Sequence, residues 1–340
     1  MIGKNPLDRR QVLQLGAGAA AGLAITPEAI AQAPKGGPLK KFVIGNTAGI
    51  ASTAFMEVLK KKGYLAKYGL EGEFITVSDG AKILSAVIGG DVDLVRAAGF
   101  GQVLTAAEKG GPVKVVGGAG LLIVQALYSK KPDIKTLKDL EGRTVGSGQP
   151  GALLHQMTVA LLRKNNVDPE KVTFVNVGSS ADVFRAVVAG TVDAGPGQND
   201  VFGEMDKFGV HSVSEFWSSL PEYPYQASFT ADKTIAEKRD VLVRGLAAFG
   251  ELYNYLQSPE SHDDYLQGYA VASGGRGDST AEYQWKFMQQ YKPYGLMIPE
   301  ASVDYLQNLN VAMGIQKVKL PTDKVLDLSM AREALKMIGG

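Results

Sequence analysis

Cysteine is absent from all 340 residues. That excludes disulfides, a thiolate nucleophile, Cys-ligated zinc and the lipid-attachment Cys of a bacterial lipoprotein. Histidine is scarce: His155, His211 and His262 lie far apart and show no metal-ligand spacing. No Gly-x-Ser-x-Gly elbow and no Gly-x-x-x-x-Gly-Lys phosphate loop occurs, and Gly99-Phe100-Gly101 lacks the third glycine of a dinucleotide fingerprint. Net charge is missing as well, since 36 Lys+Arg stand against 35 Asp+Glu. A nucleic-acid partner normally demands a basic excess, so that class is disfavoured. No cofactor, no metal and no catalysed reaction is expected.

The one conspicuous apolar run, Leu15 to Ile25, is too short for a stable membrane span. It follows Asp8-Arg9-Arg10-Gln11 and closes on Ala31-Gln32-Ala33, a small-x-small cleavage pattern. Residues 1–33 read as a secretory signal peptide of the twin-arginine type, cleaved after Ala33. Residues 34–40 form a leader. A periplasmic mature chain, not inserted in the membrane, is expected. With Lys4, Arg9, Arg10, Asp8 and Glu28 removed, 33 basic and 33 acidic side chains remain.

What the chain does have is a repeat. Phe174–Asp193, FVNVGSSADVFRAVVAGTVD, matches Phe74–Asp93, FITVSDGAKILSAVIGGDVD, at eight of twenty positions without a gap. Each copy holds a β-branched run, a small polar loop, an amphipathic helix and Gly-x-Val-Asp. Upstream, Phe42–Gly45 and Arg143–Gly146 each precede a loop of small residues and a helix. A β-loop-α-β-loop-α order that occurs twice predicts two similar α/β lobes. We expect lobe one over residues 41–126 and 227–340 and lobe two over 127–226. After Asp232 the apolar periodicity is helical, with breakers at Pro259, Gly274-Gly275, Pro293, Pro299 and Pro321.

Helix N-termini that open after strands present free N–H groups and a partial positive charge, a ready anion site. Four should face the interlobe cleft, at Thr47-Ala48, Ser78-Asp79-Gly80, Gly148–Gly151 and Gly178-Ser179-Ser180, because ligands of open α/β sheets sit at the carboxyl ends of strands. Ordinary capping competes with this reading, above all for Ser179 with Asp182 three residues on, and for Asp79. Asp79 alternatively holds an amine on a zwitterionic ligand. Arg96, just after a buried-looking strand, is the preferred counterion. Phe100, Tyr128, Phe202, Tyr225 and Phe229 are candidates for an apolar wall, and each reads equally as core.

Leu65–Asp93 (LAKYGLEGEFITVSDGAKILSAVIGGDVD), Ile134–Val167 (IKTLKDLEGRTVGSGQPGALLHQMTVALLRKNNV) and Ala181–Asp193 resemble the periplasmic substrate-binding proteins for nitrate, alkanesulfonates, taurine and thiamine-pyrimidine precursors. The resemblance spans almost all of the chain after the signal segment. It implies a type II periplasmic-binding fold: two α/β lobes joined by two crossings, with C-terminal helices packed on lobe one. It further implies a monomer that closes on a small ligand and delivers it to an ABC permease and ATPase. Carried over residue by residue, the binding loops fall at Asn46-Thr47, Ser78–Ala81, Ala97–Gly99, Gly148–Gly151, Gly178–Ser180 and Gly197-Gln198-Asn199. The candidate ligand residues are therefore Asn46, Thr47, Ser78, Asp79, Gly80, Arg96, Ala98, Gln149, Gly151, Gly178, Ser179, Ser180, Gln198 and Asn199, joined by Ser228 on the returning strand. Sulfonate binders often carry hydroxyl residues where this chain has Gln149-Pro150-Gly151-Ala152, which leaves carboxylates, aromatic acids and heterocycles open beside sulfonate. The pyrimidine-synthesising enzymes of the superfamily rely on features including cysteines, absent here. A receptor for a TRAP-type carrier or a sensor kinase, and an enzyme on the same scaffold, are the alternatives.

Overall fold

The computed structural model describes residues 38–77, 80–275 and 278–339. The expected signal peptide, the leader up to residue 37, and the candidates Ser78 and Asp79 lie outside the described residues.

Alternating strands and helices build the first sheet: β1 (Lys40–Thr47), α1 (Ile50–Lys62), β2 (Leu70–Val77), α2 (Gly80–Gly89), β3 (Leu94–Ala98), α3 (Gly101–Glu108) and β4 (Val113–Gly118). The chain then crosses to a second sheet through residues 119–124. There it forms β5 (Gln125–Ser129), β6 (Thr144–Ser147), α4 (Leu153–Lys164), β7 (Thr173–Asn176), α5 (Ser180–Ala189), β8 (Ala194–Gln198) and β9 (His211–Glu215). It returns as β10 (Ala227–Ala231). The sheet orders are β2-β1-β3-β10-β4 and β7-β6-β8-β5-β9, the type II periplasmic-binding arrangement of two α/β lobes. In each sheet the fourth strand is antiparallel and comes from the chain as it arrives from the other lobe: β10 beside β3 and β4, β5 beside β8 and β9.

The residues shared by the two copies of the repeat do the same work in both sheets. At the start of β3, the Asp93 carboxylate accepts a hydrogen bond from Val43 N at 2.9 Å; at the start of β8, Asp193 accepts one from Thr144 N at 2.9 Å. Each aspartate thus supplies an acceptor where the parallel ladder has only begun. Burial first raises the Asp193 carboxyl, but the Thr144 N–H and hydroxyl outweigh it and hold the group below its usual range. The glycine of the preceding strand is equally explained. A Cβ on Gly45 would come within 3.0 Å of Val92, and one on Gly146 within 3.0 Å of Val183, so a side chain there would force the helix off the sheet.

The two crossings run side by side. Gln226 N donates to Gly120 O at 2.8 Å, while Gly295 N donates to Ala119 O at 3.0 Å and Leu121 N to Pro293 O at 2.7 Å. The first crossing is thereby held between the return crossing and the 293–295 segment.

The C-terminal helices are α6 (Asp232–Leu256), α7 (His262–Ser273), α8 (Asp278–Tyr291), α9 (Glu300–Ala312) and α10 (Ser329–Gly339). They pack on lobe one: Gly245 of α6 lets Phe42 close in, and Gly268 of α7 lets α1 approach, its missing Cβ falling 2.9 Å from Ala54 O. Two of them reach farther than the expectation. The aromatic stripe of α8 lies on lobe two, Tyr283 stacked on Phe202 at 5.9 Å and Phe287 edge-on to Trp217 at 5.2 Å. Along α9 a chain of buried amides ties the lobes: Gln156 of α4 donates to Asn310, Asn310 donates to Gly101 O at 3.0 Å and to Gln316 at 3.3 Å, and Gln316 donates to Gln307 at 3.0 Å. Each of these amides is almost fully buried.

Truncating Asn310→Ala leaves Gln156 and the Gly101 carbonyl unpartnered in that dry contact. Urea unfolding is expected to show a loss of about 1–3 kcal/mol, whereas an unchanged midpoint would mean that the amides are solvated.

Candidate ligand-binding site

Arg96 occupies the middle of β3, and its side chain is buried at 3% exposure. Its guanidinium meets only neutral groups. Nε and Nη2 donate to Asn46 Oδ1 at 3.3 and 3.2 Å, Nη2 donates to Ser52 Oγ at 3.0 Å, and Nη1 donates to the Tyr253 hydroxyl at 3.4 Å. The Phe55 ring lies 5.7 Å from its central carbon. Ser52 in turn donates to Asn46 Oδ1 at 2.8 Å, which fixes the amide orientation. Asn46 ends β1 and Ser52 opens α1, so strand end, helix start and cation converge on one point. Among the described residues no carboxylate is paired with Arg96, whereas most of the chain's other ion pairs are exposed surface pairs. A buried cation without an acid is costly unless an anion completes it.

The gap beside this cation is lined from lobe one by Ala51, Tyr265 and Tyr294, from α8 by Gln284, Phe287 and Met288, and from the lobe-two side by Val124, Gln198 and Asn199. Tyr294 packs edge-on to Phe55 at 5.0 Å and stacks on Tyr253 at 5.8 Å. Burial first, and then neighbouring Tyr225, push its phenol up while Arg96 opposes them. The gap measures about 20 Å³, space for roughly one water, so any larger solute requires the lobes to part. A wider hollow of about 380 Å³ opens on the surface between residues 202–207 and Ser279. No buried charge converges there, and the interlobe gap is the better candidate.

Across the gap, Gln198 donates to Ser180 Oγ at 3.2 Å, and Gln125 donates to the Tyr225 hydroxyl at 2.8 Å. The Gln125 Oε1 is buried with no partner. Asp200 follows Asn199, and its carboxyl is enclosed although the residue keeps some surface. Tyr269 of α7 donates to it at 3.4 Å. Desolvation raises the Asp200 pKa to about 6, against the hydrogen bond from Tyr269, with Glu204 adding to the rise.

Gln198 and Asn199 thus line the gap, while Asn46 and Arg96 do not line it and connect to its Tyr294 wall through Tyr253 and Phe55. Thr47 lies beside them, its hydroxyl on Ala97 O at 3.4 Å, and Ala98 ends β3 buried. The other candidates have different surroundings. Gly151, at φ 80°, faces Ile315 of the C-terminal segment, and its N–H donates to His155 Nδ1 at 3.2 Å. Gln149 and Gly178 are exposed. Gly80 begins α2, directly after Ser78-Asp79, which lie outside the described residues. Ser179 is a helix cap, accepting from Asp182 N and donating to the Asp182 carboxylate at 2.6 Å. Ser228 is a strand clip: fully buried, it donates to Arg96 O at 2.6 Å and lies 3.4 Å from Gly118 O. Gly99 and Gly101 make room for lobe two, since Cβ atoms there would strike Leu153 and Gln156 at 2.5 and 2.1 Å. Tyr265, Tyr294, Gln284 and Asp200 were missed by sequence reasoning. Tyr265 and Gln284 fall in the C-terminal helices and Tyr294 in the bridge after Pro293, none of them near a carried-over loop, and Asp200 lies one residue past one.

Among the described residues no group of acids and histidines could hold a metal ion, and no helix is long and apolar enough to cross a membrane. A family profile described as NMT1/THI5 like matches residues 51–261. The chain belongs to the NMT1/THI5-like family. No curated protein matches it in sequence. Solved structures share the fold. A protein of Bordetella bronchiseptica RB50 superposes at TM-score 0.72 with 20% identity, over 88% of this chain and 98% of its own. The alkanesulfonate-binding protein SsuA of Xanthomonas axonopodis pv. citri, bound to MOPS, gives 0.73 with 14% identity over 86% and 100%. The periplasmic nitrate-binding protein NrtA of Synechocystis PCC 6803 gives 0.71 with 14% identity over 88% and 89%. The family profile covers both crossings and Arg96, whereas Tyr265, Gln284, Phe287, Met288 and Tyr294 of the gap lie beyond its matched region.

Two measurements follow from the geometry. The folded chain holds the Asp200 proton more tightly than the unfolded chain, so its penalty is full above pH 6 and fades toward the ordinary value of 3.8. Asp200→Asn should therefore raise stability at pH 7.5 by on the order of 2 kcal/mol, with the gain gone near pH 4; a pH-independent effect in denaturant titrations refutes the assignment. Ser179→Ala should cost about 1 kcal/mol as a lost cap. If it weakens solute binding more than stability, the serine is a ligand contact after all.

Proposed function

We propose that the chain is a periplasmic solute receptor that captures a small anionic organic ligand between its lobes and presents it to an ABC permease and ATPase. The observation that carries this reading is the buried Arg96 guanidinium, which among the described residues has amide, hydroxyl, phenol and ring partners but no acid. A guanidinium binds a carboxylate or sulfonate in a bidentate fork, here by exchanging some of its neutral partners for the ligand. The ligand first meets lobe one, where Arg96 and the α1 N-terminus lie. Gln198 and Asn199 reach it only when lobe two closes, which shifts the hinge equilibrium about the paired crossings. Residues 41–126 with 227–340 form the first moving unit and residues 127–226 the second. The transporter reads the closed shape, and no reaction is catalysed. Export by a twin-arginine signal, and a monomeric receptor, belong to the same reading.

The test is a thermal-shift screen of sulfonates, nitrate, aliphatic and aromatic carboxylates and pyrimidines. A solute present at about a hundred times its Kd stabilises by about 2.7 kcal/mol, a shift of several degrees. Arg96→Met should weaken the responding anion at least 100-fold, with Arg96→Lys intermediate because it keeps charge and loses the fork. If no solute shifts the transition, or Arg96→Met binds the responding solute as well as the parent, the reading fails.

A further inference from the structure

We propose that Gln284 of α8 and Asn199 after β8 determine the specificity of the interlobe gap: their side-chain amides hold a hydroxyl group of the solute when the lobes close. This rests on the receptor reading above and names a chemical feature that the solute carries.

The buried amides beside α9 are used at both ends. Asn310 accepts from Gln156 and donates to Gly101 O, Gln316 accepts from Asn310 and donates to Val318 O at 2.7 Å, and Gln307 accepts from Leu320 N at 2.8 Å and donates to Leu320 O at 3.1 Å. An enclosed amide left unmatched costs free energy, so such pairing is the rule.

Asn199 and Gln284 depart from it. Both line the gap, at 2% and 6% exposure. Asn199 is held by its main chain, whose N–H donates to Val124 O at 3.1 Å, while among the described residues its side-chain amide has no hydrogen bond. Gln284 is engaged at one end only, where the Tyr265 hydroxyl donates to Oε1 at 2.5 Å. That bond orients the amide and leaves Nε2, a donor, without a partner among the described residues. Gln284 is also fixed by packing on both sides. Its neighbours Tyr283 and Phe287 sit on Phe202 and Trp217 of lobe two, and Tyr265 is edge-on to Phe55 of α1 at 6.1 Å.

The two amides border a space of about 20 Å³, so one small group meets both. Among the described residues the lining holds no Lys, Arg, His, Asp or Glu. A charged group pressed into it would be enclosed without a counter-charge, and an alkyl group would leave the amides unmatched. A hydroxyl satisfies both, accepting from Gln284 Nε2 and donating to Asn199 Oδ1. Such a site rejects the analogue that lacks the hydroxyl, because buried groups of the protein then go unpaired.

The experiment titrates the full chain by calorimetry with paired probes: 2-hydroxyethanesulfonate against ethanesulfonate, 3-hydroxypropionate against propionate, and 4-hydroxybenzoate against benzoate. In at least one pair the hydroxylated member is expected to bind about tenfold or more tightly than its partner. Gln284→Met, of similar volume, and Gln284→Glu, which keeps the shape and loses the donor, should each abolish most of that ratio, as should Asn199→Ala. Thermal melts of the ligand-free variants identify those that fold, and the two replacements at Gln284 are judged on whichever does. Equal affinities within every pair, or a ratio that survives the loss of the Gln284 donor, overturn the proposal. If no paired probe binds while nitrate does, the hydroxyl reading is overturned and the receptor reading stands; if no solute binds at all, both fall.

Discussion

An arginine buried with no acid paired to it among the described residues is the constraint on which this structure turns. Removing a guanidinium from water costs several kcal/mol unless its donors and its charge are met. Here the donors are largely met by Asn46, Ser52 and Tyr253, while the charge is not. The side chain is therefore well positioned and electrostatically incomplete, which is the condition a binding site needs and a stable core avoids. The packing that holds it comes from three places: strand β1, the start of α1, and a tyrosine on α6 that the chain adds only after it has built the second lobe.

That late return is the second feature of the architecture. Each sheet takes its antiparallel strand from the chain as it arrives from the other lobe, so neither lobe is completed by a continuous stretch of sequence. The crossings hydrogen-bond to each other through Gln226 and Gly120, giving a short double hinge. The C-terminal helices then close two flanks. The rings of α8 cover lobe two, and the amides of α9 tie it to α3. Relative motion of the lobes is thus resisted by a few polar contacts and one aromatic stripe, and what lies between them is a gap the size of a water molecule. Opening exchanges buried amide hydrogen bonds for hydrogen bonds to water, a near-balanced trade, and small interaction energies from a solute can tip it.

Much of the fold was legible because the repeat is physical and local. Phe74–Asp93 and Phe174–Asp193 encode strand, cap, helix and strand with side-chain periods that declare themselves within twenty residues, and the structure places α2 and α5, and β3 and β8, one hundred residues apart in sequence. The Gly-x-Val-Asp ends have a plain reason in each copy, the aspartate serving the neighbouring strand's N–H. Arg96 reads in the sequence as a cation just after a buried strand, whereas in the fold it lies within β3, which runs on to Ala98. The roles of Ser179 and Ser228 were harder to read. A small hydroxyl residue near a loop serves equally as cap, clip or ligand contact, and only partner distances tell them apart.

The amino-acid sequence by itself determined the repeated α/β units, the strand-end loops and the helical C-terminal third, because each depends on residues close together in the chain, and its lack of cysteine excludes thiol chemistry. Tertiary structure alone decided which faces of the C-terminal helices would look into the gap. Tyr265 and Gln284 come from helices whose other residues are simply core, Tyr294 from the bridge to Gly120 after α8, and what turns them toward the gap is a lobe built some seventy or more residues earlier. Arg96 likewise acquires its meaning only there. An unpaired charge is visible only when every other charge has been placed, and that is a property of the folded whole.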